Sequence, residues 1–211
     1  MKLRITRPTQ HSTRARGILR WSRNFFLVMG VLALGYSGFV TLDAKLYQAQ
    51  QIRGFEQQLS SVQPTIAGGG GVGGPPIAAI PSGSIGRIEI SRIGIDAMIS
   101  EGIDERTLRQ AVGHIPGTPL PGQAGNAAIA GHRDTFFRPL RNVRHDDEIT
   151  LTTLQGSYRY LVDTTQIVPP EDIHVLENSS DTTLTLVTCY PFYFVGPAPK
   201  RFIVRAHRVP G

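Results

Sequence analysis

The feature that most constrains the fold is the texture of the chain from Ile85 onward, where short alternating apolar and polar runs are broken by Gly, Pro and Asn. The run 85–95 opens with apolar and polar residues on alternate positions, which is the period-two pattern of a strand. A brief helix is predicted at Asp104–Val112, with Asp104 as its N-cap. Further strands are predicted at NAAIAGH (126–132), EITLTTL (148–154), YRYLVDTTQIV (158–168), TTLTLVTC (182–189) and RFIVRAHRV (201–209). Many short strands and few helices predict a mainly β domain, either an antiparallel barrel or a sandwich.

The net charge of +6 is concentrated in the N-terminal tail. Seven basic residues precede the first acidic residue and by themselves exceed the net charge of the whole chain: Lys2, Arg4, Arg7, Arg14, Arg16, Arg20 and Arg23. The rest of the sequence is close to neutral, whereas nucleic-acid binding relies on clustered positive charge. The charge pattern therefore argues against a nucleic acid as partner.

An apolar run, Phe25–Leu42, follows this basic tail and contains no Asp, Glu, Lys, Arg or His. As a helix it would extend about 27 Å, close to the roughly 30 Å hydrocarbon core of a bilayer. Basic flanks stay on the cytoplasmic side, so the N-terminus is predicted inside and the rest of the chain outside. A buried core helix is the first alternative, but a helix of a soluble protein normally has a polar stripe. A cleaved signal peptide is the second, but the run exceeds the apolar region of a typical signal peptide and no clean cleavage site follows.

Beyond the apolar run the composition changes twice. Residues 43–60 are rich in Gln and charged side chains and predict a polar helical stalk. The segment Ala67–Pro76 has no apolar face that could pack. It is predicted to be a linker and not a phosphate-binding loop, because no strand precedes it and no Lys-Ser or Lys-Thr follows. The predicted organisation is a basic cytoplasmic tail (1–23), a transmembrane helix (24–43), a stalk with its linker (44–84) and a globular domain (85–211).

Cys189 is the single cysteine of the chain, so it cannot form an internal disulfide. It closes a predicted buried strand and is followed two positions later by Pro191, which cannot continue a sheet ladder. A strand end beside a loop holds a side chain in a fixed direction while leaving it reachable, as a nucleophile requires. The alternative is that Cys189 is a small buried apolar residue.

A catalytic thiol needs an acid or base partner, most often histidine, and a group that stabilises an oxyanion. Four of the six histidines lie on the predicted cytoplasmic side or carry no local signal: His11, His145, His174 and His207. His114 precedes a turn-rich loop, whereas His132 closes an apolar strand after Gly131, where the backbone can approach closely. His132 is the better candidate of the two, and from the residues alone both stay open.

TLVTC (185–189), GHRDTFF (131–137) and KRFIVRAHRV (200–209) are three segments that together resemble the sortase family of cysteine transpeptidases. TLVTC (185–189) resembles the signature that ends the catalytic strand of sortases, and GHRDTFF (131–137) resembles the segment with their catalytic histidine. KRFIVRAHRV (200–209) is similar to the last strand, which begins with their catalytic arginine. The resemblance covers roughly residues 85–209 in the order His, Cys, Arg, and the run after TLVTC is most similar to class D.

The resemblance implies a closed eight-stranded sortase-type β-barrel with short helices, preceded by one transmembrane helix. It implies that Cys189 is the nucleophile, His132 the acid and base, and Arg201 the oxyanion stabiliser. Arg205 lies on the same predicted strand face as Arg201, and only the family pattern favours Arg201. No metal or organic cofactor is implied.

The implied partners are substrate proteins with a C-terminal sorting motif and an amine acceptor, such as a peptidoglycan precursor or a protein lysine. Membrane lipid is the third expected partner, because the chain is expected to be a single-pass protein of the cytoplasmic membrane with its catalytic domain outside. A membrane-tethered cysteine hydrolase of the same fold is the alternative enzyme. A nonenzymatic binding domain is the alternative from another class, and it would require Cys189, His132 and Arg201 to be present by chance.

Overall fold

The computed structural model of the chain describes residues 11–66, 83–194 and 196–210. The predicted linker Ala67–Pro76 lies outside the described residues, as do positions 1–10 of the predicted basic tail.

The chain forms two compact units, Met1–Asp43 and Ala44–Gly211. A single long helix, α1 (His11–Ile66), contains the apolar run and most of the predicted stalk. Over the part of the chain that the structure describes, no helix combines the length and apolar character needed to cross a bilayer. The predicted transmembrane helix at 24–43 is therefore not shown by the structure.

Eight strands lie in the described part of the second unit. They are β1 (Ser84–Ile90), β2 (Ile95–Glu101), β3 (Val112–His114), β4 (Asn126–Gly131), β5 (Glu148–Thr153), β6 (Gly156–Val168), β7 (Thr183–Tyr190) and β8 (Lys200–Val209). One short α-helix and three 3-10 turns connect them: α2 (Glu105–Gln110), Ser91–Ile93, Arg138–Asn142 and Ile173–Leu176.

The strands close into a barrel in the order β1-β2-β3-β4-β7-β8-β6-β5, which confirms the predicted closed eight-stranded fold. The expected antiparallel pairing is found between most neighbouring strands, but β2 pairs with β3 and β4 pairs with β7 in parallel. Parallel neighbours need a long crossover connection. Helix α2 supplies it in the first case, and the β5-β6 hairpin with its flanking loops supplies it in the second.

The barrel interior is filled by alternate residues of its strands, as the period-two pattern predicts. Along β1 the buried positions are Ser84, Gly86, Ile88 and Ile90. The predicted strand 85–95 is broken, however, by the 3-10 turn and by Gly94, whose φ of 71° suits a residue without a side chain. The largest fully buried side chains include Tyr160, Phe137, Ile129, Leu151, Leu184 and Leu186.

The predicted capping of α2 by Asp104 is confirmed. Its Oδ1 accepts hydrogen bonds from the backbone N–H of Arg106 at 3.0 Å and of Thr107 at 3.1 Å. The helix ends at Gln110, earlier than predicted, because Ala111 is already extended and β3 begins at Val112.

Within the second unit, the later part of α1 contacts the barrel. Gln48 donates from its side-chain amide to the carbonyl oxygen of Gln110. Its Oε1 accepts a hydrogen bond from the backbone N–H of Met98 at 2.9 Å. About two turns further along, Phe55 is only 5% exposed. Part of the predicted stalk therefore packs on the catalytic domain.

Candidate active site

Cys189 lies near the end of β7 on the outer face of the barrel. Leu184 and Leu186 point into the central core, whereas Val187 packs in a separate small cluster with Ile203 outside it. Because successive side chains of a strand alternate between faces, Cys189 shares the outer face with Val187. Its thiol is free and half-buried, which leaves the sulfur reachable.

Arg201 lies directly across from Cys189, because β7 and β8 are antiparallel and these two residues are Cα partners. Directly opposed residues share a face, with Cβ atoms typically about 4.5 to 5.5 Å apart. Arg205 is instead the partner of Thr185. Four residues along a strand correspond to about 13 Å, so the register distinguishes the two arginines where sequence pattern alone does not.

His132 comes directly after Gly131, the last residue of β4. Strands β4 and β7 are parallel, and Gly131 is the Cα partner of Thr188. His132 follows Gly131 as Cys189 follows Thr188, so the register places the two residues at neighbouring backbone positions. The register thus brings the three predicted site residues to the ends of three neighbouring strands.

The junction between β4 and β7 is held by buried contacts. Thr188, 2% exposed, donates from its hydroxyl to the carbonyl oxygen of Gly131 at 2.7 Å. A Cβ atom at Gly131 would lie 2.7 Å from the ring of Phe137. Phe137 in turn donates its backbone N–H to the carbonyl oxygen of His132 at 3.1 Å. The backbone on both sides of His132 is therefore fixed.

His114, the other histidine that the sequence left open, has a structural position. It is 3% exposed, and its Nδ1 lies 2.8 Å from a carboxylate oxygen of Glu101. Its Nε2 lies 3.1 Å from both the carbonyl oxygen of Pro119 and the hydroxyl of Thr118. One ring nitrogen thus contacts the end of β2 and the other the loop after β3, and β3 itself is not adjacent to β7.

The loop between β7 and β8 is the part of the site that sequence reasoning described least well. Phe192 and Phe202 contact each other edge to face at 5.3 Å and pack against the core. Tyr193 and Phe194, by contrast, are 75% and 44% exposed. The aromatic residues after Cys189 thus divide into packing residues and surface residues, which their sequence order does not reveal.

Arg133, next to His132, makes contacts that the sequence analysis did not predict. Its guanidinium donates to the carbonyl oxygens of Pro191 at 3.0 Å, Phe194 at 2.7 Å and Gly196 at 3.0 Å. Arg201 contacts the far end of the same loop, donating to the carbonyl oxygens of Ala198 and Lys200 at 3.3 and 3.1 Å.

A thiol, an imidazole and a guanidinium at three neighbouring strand ends can together perform nucleophilic acyl transfer. The thiol can form a covalent intermediate, the imidazole can transfer protons, and the guanidinium can donate hydrogen bonds to a developing oxyanion.

Comparison with known proteins connects this geometry to one family. A family model for the sortase domain matches residues 88–209. Sortase D of Bacillus subtilis (strain 168) is 31% identical over 195 residues, which cover 88% of this chain and 96% of that protein.

Solved structures agree in fold. A sortase D5 transpeptidase of Clostridium perfringens superposes with a TM-score of 0.61 at 27% identity, over 79% of this chain and 98% of that one. Sortase C1 of Streptococcus agalactiae has a TM-score of 0.59 at 32% identity, over 64% of this chain and 72% of that one. Two of these relatives are named sortase D or D5, in agreement with the predicted likeness to class D. Barrel, motif order and relatives lead to one conclusion: the chain belongs to the sortase family of cysteine transpeptidases.

Proposed function

We propose that Cys189, His132 and Arg201 carry the transpeptidation reaction of this sortase. The observation that supports the assignment is the strand register, in which Cys189 is paired with Arg201 on one side and follows the Gly131–Thr188 pair on the other. No other cysteine exists in the chain to serve as nucleophile.

The reaction proceeds in two acyl transfers. The Cys189 thiolate attacks the carbonyl carbon of the scissile peptide bond of a sorting motif, and Arg201 donates hydrogen bonds to the oxyanion that forms. His132 gives a proton to the departing amine, the C–N bond breaks, and a thioacyl enzyme remains. An amine acceptor then attacks the thioester carbonyl while His132 takes its proton. Collapse of this second oxyanion forms the new amide and releases the Cys189 thiolate.

The substrates that fit this chemistry are proteins with a C-terminal sorting motif, and the acceptors are primary amines of a peptidoglycan precursor or a protein lysine. Exposed Tyr193 and Phe194 lie a few residues beyond the nucleophile. We propose that they offer apolar surface to the extended motif.

We further propose that the N-terminal part of α1 anchors the enzyme in the cytoplasmic membrane with the barrel outside. The apolar run 25–42 follows seven basic residues. Within it, Phe26 and Leu34 are 71% and 76% exposed, and a large exposed apolar surface needs a partner or a lipid phase to cover it. Reporter fusions test this topology: a fusion after Arg20 that behaves as extracytoplasmic contradicts it.

Mass spectrometry of the enzyme incubated with a sorting-motif peptide tests the catalytic assignment. We expect a thioacyl adduct on Cys189 in the wild type and no adduct on Cys189→Ala. Cys189→Ser serves as the matched control for folding, since it changes one atom and should keep the thermal midpoint. An adduct on another residue, or undiminished transpeptidation by Cys189→Ala, removes the assignment.

The same incubation distinguishes a transpeptidase from the cysteine hydrolase of the same fold. With an added amine such as a short oligoglycine, the main product should be the ligated peptide. A product mixture that stays fully hydrolysed at every amine concentration would identify the hydrolase instead.

A further inference from the structure

Arg133 joins two segments of the site that are far apart in sequence. It is the neighbour of His132, and its guanidinium donates to three carbonyl oxygens of the β7–β8 loop, those of Pro191, Phe194 and Gly196. The ring of Phe194 also lies 5.8 Å from the guanidinium carbon, within the range of a cation–π contact. One side chain therefore fixes the position of the loop relative to the histidine segment.

A guanidinium suits this role better than other side chains. It is planar and carries donors on several nitrogens in a fixed arrangement, and the contacts use two of them: Nη1 reaches Pro191, while Nη2 reaches Phe194 and Gly196. Hydrogen bonds from a charged donor are about twice as strong as neutral ones. A lysine ammonium has its three donors on one atom and cannot reproduce this spread.

The segment that contains the loop contacted by Arg133 also provides the hydrogen-bond acceptors of Arg201. The carbonyl oxygens of Ala198 and Lys200, which accept hydrogen bonds from Arg201, belong to the segment that returns from Gly196 to β8. The loop leaves the sheet just after Cys189 and re-enters it at Lys200. A displacement of the loop therefore moves Arg201 as well as the chain that follows the thiol.

We propose that Arg133 is a positioning residue for transpeptidation, which sets His132 and Arg201 relative to Cys189 by holding the β7–β8 loop against the histidine segment. Arg133 itself touches no reacting atom. The inference rests on the catalytic roles proposed above for those three residues.

The test compares four variants with the wild type: Arg133→Ala, Arg133→Lys, Arg138→Ala and His132→Ala. Arg138 is the matched control because it is an exposed arginine five positions along the same segment. We expect kcat of Arg133→Ala to fall about 10- to 100-fold, because small misplacements of catalytic groups carry losses of this size. Arg133→Lys should recover part of kcat, and Arg138→Ala should stay within a few-fold of the wild type.

A second measurement separates positioning from simple stabilisation. Alkylation of Cys189 by iodoacetamide, followed across pH, reports how the surrounding charges act on the thiol. We expect the profile of Arg133→Ala to move toward that of His132→Ala, because the histidine segment loses its link to the β7–β8 loop. A purely structural role lowers the thermal midpoint but leaves the profile of the folded protein unchanged.

The outcomes are distinct. If Arg133→Ala is folded, keeps kcat within a few-fold and has a wild-type alkylation profile, the positioning role is overturned. If Arg133→Ala does not fold, kcat and the alkylation profile are measured for Arg133→Lys instead, and wild-type values of both overturn the positioning role. Cys189→Ala is measured in parallel, because activity remaining in that variant contradicts the proposed catalytic assignment and not the role of Arg133 alone.

Discussion

Arg201 is opposite Cys189 because the two residues are partners in the β7–β8 register. On β8 it is half-buried, faces Cys189 across the β7–β8 ladder, and is steadied by the carbonyl oxygens of Ala198 and Lys200. In the proposed assignment, a guanidinium on this face donates to the oxyanion that forms when the Cys189 sulfur adds to the substrate carbonyl carbon. Its contribution then belongs mainly to the transition state.

Replacing Arg201 by alanine should lower kcat about 100- to 1000-fold, since loss of one oxyanion donor typically costs roughly 3 to 4 kcal/mol. Arg201→Lys keeps the charge without the planar fork of donors and should recover only part of the loss. Steady-state transpeptidation together with the thermal midpoint measures both effects and detects a folding defect.

Arg205→Ala is the control for that series, because Arg205 is the same residue type on the same strand face but pairs with Thr185. It should stay within a few-fold of the wild type. If Arg205→Ala loses activity while Arg201→Ala retains it, the oxyanion role moves to Arg205 despite the register.

The surroundings of Asp147 lead to a testable prediction about the stability of the fold. Its carboxylate, 5% exposed as a residue, accepts hydrogen bonds from the side chain of Arg92 and from the backbone N–H of Arg144. The hydrogen bond from the Arg92 guanidinium is the main cause that holds the pKa of Asp147 below its usual range. A carboxyl group with a lowered folded-state pKa stabilises the fold above its unfolded pKa and loses that effect as the pH falls.

The stability difference between the wild type and Asp147→Asn should therefore be largest near neutral pH. It should shrink as the pH falls below about 4, the unfolded value for aspartate, and continue toward the lower folded pKa. Urea unfolding at a series of pH values measures it, with exposed Asp181→Asn as the control. A difference that stays constant down to pH 2 contradicts the linkage.

At the scale of elements, the connection between β6 and β7 is tied to the sheet by one buried amide. Asn126 is fully buried, and its Nδ2 donates to the carbonyl oxygens of Val175 and Glu177, each at 3.1 Å. Its Oδ1 accepts from the hydroxyls of Thr185 at 2.7 Å and Thr183 at 3.3 Å. Asn126, the first residue of β4, therefore links this strand to β7 and to the 3-10 turn that precedes β7.

Asn126→Ala should lower the free energy of unfolding by about 2 to 4 kcal/mol, because it leaves several buried groups without a partner. Urea denaturation measures the change. Asn142→Ala, at an exposed position on a 3-10 turn, should change stability by no more than about 0.5 kcal/mol. Equal effects of the two substitutions would show that the buried network contributes nothing specific.

The secondary-structure elements also show which features of the fold could be predicted from the sequence. Period-two patterns predicted most of the strands, and Asp104 predicted the cap of α2, because both signals are local. The parallel pairs β2-β3 and β4-β7 could not be predicted from pattern, since pairing depends on contacts between distant segments. The family motifs are local, and they predicted His132, Cys189 and Arg201 as site residues. The contacts of Arg133 with the β7–β8 loop join distant segments, so only the structure could reveal them.

At the scale of the whole molecule, the barrel and the later part of α1 form one compact unit. All eight described strands lie beyond Gly83, so a fragment 83–211 should fold and keep activity. It should nevertheless be less stable than a fragment 44–211 by about 2 to 3 kcal/mol, the usual effect of burying a phenylalanine, because it lacks Phe55. Thermal and urea unfolding of the two fragments measure the difference.

Point substitutions in the longer fragment refine this prediction. Phe55→Ala should account for most of the difference, whereas Arg53→Ala, at an exposed position of the same helix, should have little effect. An insoluble 83–211 fragment would mean that α1 is required for the barrel to fold at all.

The parallel pairing of β4 with β7 has a consequence for how activity arises during folding. Thr188 and Gly131 are 57 positions apart in sequence, so this ladder closes a long stretch of chain. Contacts of such separation form slowly, because the entropy of loop closure must be overcome first. In the proposed assignment, these contacts bring the His132 segment to Cys189. A chain that has not yet completed the barrel should therefore lack activity, and activity should appear only as β4 and β7 pair.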